Sequence, residues 1–173
     1  SMEDGLHYTT LDRTENGRVI NKYSYKTGEL VQEILSANTL AQWLGEDEFS
    51  IEAYRFSDDE QFLLISTGVE SIYRRSSKAD FYVVDLNAKK ARKLASGVKQ
   101  RHATFSPDNK YIAFIQENNI FIQNYKTQST EMITKDGEKN KIIYGYADWV
   151  YEEEFAFSKA FFWSPDGKHL AYY

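Results

Sequence analysis

The sequence predicts an all-β fold assembled from repeated antiparallel units, on three observations. A turn signature recurs three times, in the segments 56–65, 105–114 and 163–172. A second, weaker strand–turn–strand pattern lies outside it at 23–29, 83–90 and 122–129. The 173 residues include 13 Tyr, 11 Phe and 3 Trp, and with Val and Ile these fall in short runs that suit strands better than helices.

The first repeat is an aromatic residue, a Ser, a polar turn and then an apolar strand. It reads Phe56-Ser57-Asp58-Asp59-Glu60-Gln61-Phe62, then Phe105-Ser106-Pro107-Asp108-Asn109-Lys110-Tyr111, then Trp163-Ser164-Pro165-Asp166-Gly167-Lys168-His169. Proline presets φ at the first central turn position, Asp bonds the nearby backbone, and Asn or Gly accepts the left-handed conformation that follows. Both prolines of the chain, Pro107 and Pro165, sit in this turn. The second repeat is built around Lys26-Thr27-Gly28, Asn87-Ala88-Lys89 and Lys126-Thr127-Gln128. Alternation in Asn119-Ile120-Phe121-Ile122 and Phe81-Tyr82-Val83-Val84 fits half-buried or buried strands. Four strands per unit, with one hairpin inside and the other outside, make a blade of a β-propeller. The serines of successive repeats are 49 and 58 residues apart, against a blade period of roughly 40–50 residues.

The expected architecture is therefore a partial β-propeller of about three four-stranded blades and the start of another. Propellers hide their sheet edges by closing on themselves, generally with about four to eight blades. Three and a fraction do not close. The chain thus reads as residues 3–173 of an N-terminal propeller region in a longer protein, with Ser1-Met2 a cloning scar and open sheet edges free for self-association.

The longer second interval has a local cause. Residues 144–160 lack strand alternation and carry Glu152-Glu153-Glu154 among several aromatics. Asp148 can act as an N-cap, Tyr151 and Phe155 lie one helical turn apart, and acids near a helix start suit its dipole. This predicts a short inserted helix near 148–156. Insertions on a rigid scaffold are where binding groups tend to sit.

Composition excludes several chemistries. Without Cys there are no disulfides, no thiolate nucleophile and no Cys-ligated zinc. A formal net charge of −5 argues against a nucleic-acid partner. No run of 18 apolar residues spans a membrane, and no charged-then-apolar leader precedes Gly5. The Gly-x-Ser-x-Gly elbow, the Walker loop, the dinucleotide glycine fingerprint, His-Glu-x-x-His and the EF-hand loop are all missing. His7, His102 and His169 have no acid at a ligand spacing and read as ordinary half-buried strand residues. The sequence calls for no metal and no cofactor, and it offers no catalytic residue of its own.

Two charged motifs remain. Neighbouring glutamates on a helix do not face each other, so 152–154 reads either as a solvated helix face or as a cation site. In the second reading a primary ammonium, with three donors, relieves the repulsion between paired carboxylates. Arg74-Arg75 follows the apolar run Phe62–Ile65 and reads as surface by spacing alone, as does the 89–93 cluster.

The string Asp148-Trp149-Val150-Tyr151-Glu152-Glu153-Glu154, followed by Phe161-Phe162-Trp163-Ser164-Pro165-Asp166-Gly167, resembles the dipeptidyl peptidase IV branch of the prolyl oligopeptidase family. Tyr73-Arg74-Arg75-Ser76 ahead of Phe81-Tyr82-Val83-Val84-Asp85-Leu86-Asn87, and Gln116-Glu117-Asn118-Asn119-Ile120-Phe121, match in the same order. The resemblance implies an eight-bladed N-terminal propeller joined to a C-terminal α/β-hydrolase domain, in a serine peptidase releasing dipeptides from N-termini with Pro or Ala second. It implies that Glu153 and Glu154 bind the α-ammonium of a peptide substrate with a free N-terminus, and that Arg74 contacts the carbonyl oxygen of that substrate's first residue. Arg75, next door, is the alternative to Arg74. The family's catalytic triad, oxyanion tyrosine and proline pocket match nothing in this stretch, so the chain alone is expected to be inactive. Lacking Cys and Asn-x-Ser/Thr sequons, it looks like a bacterial member, periplasmic or secreted. The competing expectation is a non-catalytic propeller module that binds a protein or peptide partner, with the glutamates merely surface.

Overall fold

A computed structural model describes all residues, 1–173, and its elements are antiparallel sheets with two short helices. The chain divides into two compact units: residues 1–67 with 82–92, and residues 68–81 with 93–173.

In the first unit, β1 (His7–Thr14), β2 (Gly17–Ser24) and β3 (Leu30–Ser36) form a three-stranded meander. The helix α1 (Ala37–Leu44) follows at once. Ser36 caps it, accepting the Thr39 N–H at 3.2 Å, and Gly45 ends it in the left-handed region at φ 74°. The sequence reading made no assignment over these residues, and α1 is a helix it did not include. Its apolar stripe explains it: Ala37, Leu40 and Ala41 are buried, and Ala37 and Leu40 join Ile20, Leu35, Ile51, Leu63, Ile65 and Val84 in one core cluster.

A four-stranded sheet runs in the order β4 (Ala53–Phe56), β5 (Phe62–Ser71), β6 (Ser77–Asp85) and β7 (Lys90–Lys93). The inner half of β5 is buried at each of Phe62–Ser66, the near-continuous apolar run of a strand covered on both faces.

In the second unit a further sheet has the order β11-β10-β9-β8, from β8 (Arg101–Phe105), β9 (Tyr111–Gln116), β10 (Asn119–Asn124) and β11 (Thr130–Met132). Phe114 and Phe121 are register partners and stack at 5.5 Å, a cross-strand aromatic pair. The helix α2 (Trp149–Phe155) precedes a hairpin of β12 (Phe161–Trp163) and β13 (Leu170–Tyr172). Ala113, Ile115, Ile120 and Phe161 form the buried cluster of this unit.

The repeat that the sequence displays is one repeated hydrogen-bond pattern. Ser57, Ser106 and Ser164 each donate from Oγ to the Asp two residues on, at 2.6 Å in all three turns. Each Oγ accepts the backbone N–H of the residue five positions on, from Phe62, Tyr111 and His169 at 3.0, 2.9 and 3.0 Å. The serine thus fastens the turn to the strand it starts, which is why an aromatic-Ser-turn-strand string marks each unit. In the outer turns, Ser24 and Asn124 accept backbone N–H groups two and three residues ahead, and Asp85 accepts one three ahead. The repeated units are blades of a partial all-β propeller.

Candidate functional site

The 144–160 insertion is a helix on a stem. Tyr146 and Lys159 form an antiparallel bridge, Ala147 N–H donates to the Ser158 carbonyl at 2.9 Å, and Ala160 N–H donates to Gly145 at 2.8 Å. These bonds close the base of the excursion, so the helix it carries is held rather than loosely looped. Asp148 begins α2, with its carboxylate accepting the Tyr151 N–H at 3.0 Å, and Ala156 ends it in the left-handed region. The helix expected near 148–156 is thus present over 149–155, with the expected cap.

A rotation of about 100° per residue separates the three glutamates. Glu152 is fully buried, Glu153 is three-quarters covered, and Glu154 is exposed. Of the two candidate carboxylates, one therefore stands at the rim of the structure and one in solvent, while the third member of the triplet points into the protein.

The β5–β6 turn reaches the same place. Its base is closed by the Ile72 N–H donating to the Ser76 carbonyl at 2.9 Å, with Arg74 and Arg75 at the tip. The Arg74 Nη1 lies 3.6 Å from Glu153 Oε2. The Arg75 backbone N–H donates to Glu152 Oε1 at 2.6 Å. Of the two arginines left open by the sequence, it is the Arg74 side chain that the fold brings to a glutamate of the triplet. Arg75 contributes its backbone.

A polar wall lies near the buried Glu152. The Arg101 guanidinium lies 4.2 Å above the Tyr146 ring centroid, and the Tyr146 hydroxyl donates to Asn118 Oδ1 at 2.6 Å. Burial lowers Arg101 from its ordinary value, opposed by the nearby Tyr146 and Glu152. Burial also raises the Tyr146 hydroxyl, with Arg101 acting the other way. A cleft of about 700 Å³ lies along this wall, lined among others by Tyr73, Arg101, Asn118, Tyr146 and Trp149. Sequence reasoning left Arg101, Tyr146 and Glu152 unassigned. Nothing in their local spacing could have singled them out, because the contacts that join them link residues far apart in the chain.

His102 is also not an ordinary strand residue. It sits at the register irregularity between β8 and β9 with φ 56°, and its Nε2 is buried without a hydrogen-bond partner. Burial first, then the charges of Arg101 and Lys159, push its imidazole down to about 4.

Mixed charge at the rim suits a small zwitterion-like fragment: carboxylates for a cation, a guanidinium for an oxygen acceptor. The family model for the dipeptidyl peptidase IV (DPP IV) N-terminal region matches residues 57–173, well over half of the chain. Dipeptidyl peptidase 4 of Felis catus is 38% identical over 132 residues, 73% of this chain and 17% of that protein. Prolyl endopeptidase FAP of Bos taurus is 33% identical over 99% of this chain and 21% of its own length. The crystal structure of Porphyromonas gingivalis dipeptidyl peptidase 4 superposes with a TM-score of 0.88 at 34% identity, covering 98% of this chain and 24% of that one. The chain thus spans about a fifth of the length of these relatives. With the repeated blades, the inserted helix and the family match in agreement, the chain belongs to the dipeptidyl peptidase IV N-terminal region family.

Proposed function

We propose that this chain is the substrate-recognition part of a longer serine exopeptidase that removes X-Pro or X-Ala dipeptides from free peptide N-termini. In this reading Glu153 and Glu154 take the substrate α-ammonium and Arg74 takes the carbonyl oxygen of its first residue. The observation that carries it is the approach of Arg74 to Glu153 at 3.6 Å. In a peptide N-terminus the ammonium and the first carbonyl are two bonds apart, so their partners must be neighbours, and here they are. An ammonium fixed at a wall leaves only a short stretch of substrate to reach a nucleophile, which restricts the product to a dipeptide.

The nucleophile, its base and the oxyanion donors belong to a C-terminal α/β-hydrolase domain in this proposal. In this proposal residues 3–173 are the N-terminal part of the propeller, and the setting is periplasmic or secreted. The 173-residue chain by itself has no turnover, and it self-associates through strand edges that the rest of a propeller would cover. The relatives support the assignment through their names as dipeptidyl peptidases and their greater length.

The test is kinetic. In the full-length protein, Glu153→Ala and Glu154→Ala each lower kcat/KM on Gly-Pro-p-nitroanilide by roughly 100-fold or more, about 3 kcal/mol of charged contact. Near-wild-type rates for both variants overturn the ammonium site. A downstream reading frame without a Gly-x-Ser-x-Gly elbow overturns the peptidase and leaves a binding module.

A further inference from the structure

The buried glutamate of the triplet does a different job from its neighbours. Glu152 is 0% exposed, its Oε1 accepts the Arg75 backbone N–H at 2.6 Å, and its Oε2 has no hydrogen-bond partner. A buried carboxylate with one oxygen unsatisfied is an expensive way to fill space, even with the Arg101 charge nearby. An apolar side chain of that size would serve packing at lower cost.

What the carboxylate holds is specific. The Arg75 amide belongs to the residue after Arg74, at the tip of a turn whose only other backbone ties are the bonds from Ile72 and Tyr73 to Ser76. Arg74 is 73% exposed, so its own ion pair, at 3.6 Å and in solvent, does not fix its position. The backbone beneath it must do so. Glu152 also lies in the same helix as Glu153, so a single bond ties the guanidinium's turn to the helix that carries the candidate ammonium ligand.

We propose that Glu152 is a positioning residue, holding the 72–76 turn through the Arg75 amide so that Arg74 and Glu153 present one preformed site for a peptide N-terminus. This rests on the assignment of Glu153, Glu154 and Arg74 to the substrate. The charge of Glu152 is secondary to its acceptor oxygen: a glutamine in its place keeps a carbonyl oxygen for the same N–H, whereas alanine keeps nothing.

The experiment uses the full-length protein with Gly-Pro-p-nitroanilide and compares E152A, E152Q, R74A, the E152A/R74A double variant and E153A. E152A lowers kcat/KM about 10-fold, E152Q stays within about 3-fold of wild type, and E152A has no further effect once Arg74 is gone. Amide exchange on the 173-residue chain gives a second readout, in which the Arg75 N–H exchanges at least about 10-fold faster in E152A but not in E152Q. If E152A does not fold, E152Q carries the test: wild-type-like kinetics with a protected Arg75 amide support positioning. Additive losses in the double variant, an E152Q as impaired as E152A, or an Arg75 amide that exchanges freely in the wild type overturn it. E153A separates the two ideas. A wild-type rate there removes the ammonium site, while an impaired E153A beside an additive E152A/R74A pair removes the positioning role alone.

Discussion

The Arg74 guanidinium stands 3.6 Å from the Glu153 carboxylate with most of its side chain in water. An ion pair in that setting contributes only about 0–1 kcal/mol to stability, because water screens the charges and two long side chains must be ordered. On the proposed role, what Arg74 contributes is contact with substrate rather than stability. Arg74→Ala is expected to shift the unfolding free energy of the chain by less than about 1 kcal/mol in urea titrations. In the full-length protein the same change lowers kcat/KM on a dipeptidyl anilide at least about 10-fold, and Arg74→Lys recovers only part, since an ammonium cannot reproduce the guanidinium fork. A large loss of stability, or unaltered kinetics, would contradict this division.

Asp148 sets the start of α2 through its bond from the Tyr151 N–H. A seven-residue helix has little cooperativity of its own, so its cap and its stem decide whether Glu152 and Glu153 stay in place. Asp148→Ala is expected to cost about 1 kcal/mol of stability, while Asp148→Asn, another good cap, stays within a few tenths. In the full-length protein KM for a dipeptidyl anilide rises more in the Ala variant than in the Asn variant. Equal effects of the two substitutions would show that the cap is not what matters.

The blades were legible because their turns are local chemistry. The Ser–Asp bond and the left-handed residue after it lie within a few positions, so they leave a readable string at 57–60, 106–109 and 164–167. The helix α2 was legible for the same reason, through Asp148. The helix α1 left a weaker trace: Ser36 is a good cap, but no Glu or Gln stands three residues on and no acid lies in its first turn. At the site, the sequence pointed to Glu153, Glu154 and Arg74 only through family resemblance, since spacing alone favoured a solvated face. The roles of Glu152 and Arg101 could not be read at all: each depends on a contact between residues far apart in the chain.

His102 gives the protein a pH dependence of known sign. Its folded value of about 4 lies below the ordinary value near 6.5. Between those values the unfolded chain holds a proton that the folded chain refuses, so stability is full above about pH 6.5 and falls as the pH drops toward 4. The loss is at most about 3.5 kcal/mol, at roughly 1.4 kcal/mol per pH unit. His102→Asn removes the titration and keeps a residue that tolerates the positive φ. Urea midpoints measured across this window should fall more steeply for the wild type than for the variant. Parallel curves would mean that the imidazole is not held neutral.

The three inner turns offer an internal control on backbone strain. After each Ser–x–Asp, the next residue has a positive φ: Glu60 at 55°, Asn109 at 55° and Gly167 at 69°. Only glycine adopts this region freely, Asn tolerates it, and Glu is held there at a cost of about 1 kcal/mol. Glu60→Gly should therefore stabilise the chain by about 0.5–1 kcal/mol, less whatever the exposed bond from Glu3 N–H to Glu60 Oε1 contributes, and Asn109→Gly should gain less. At the third turn the argument reverses. A Cβ on Gly167 would meet the Asp108 Cγ at 2.7 Å, and Asp108 is already fastened to Ser106, so it cannot easily move aside. Gly167→Ala then combines the φ penalty with a clash and should cost more than about 1 kcal/mol. Urea unfolding of the three variants should rank them Glu60→Gly, Asn109→Gly, Gly167→Ala from most to least stable, and a neutral Gly167→Ala would mean that the two adjacent turns do not hold each other in place.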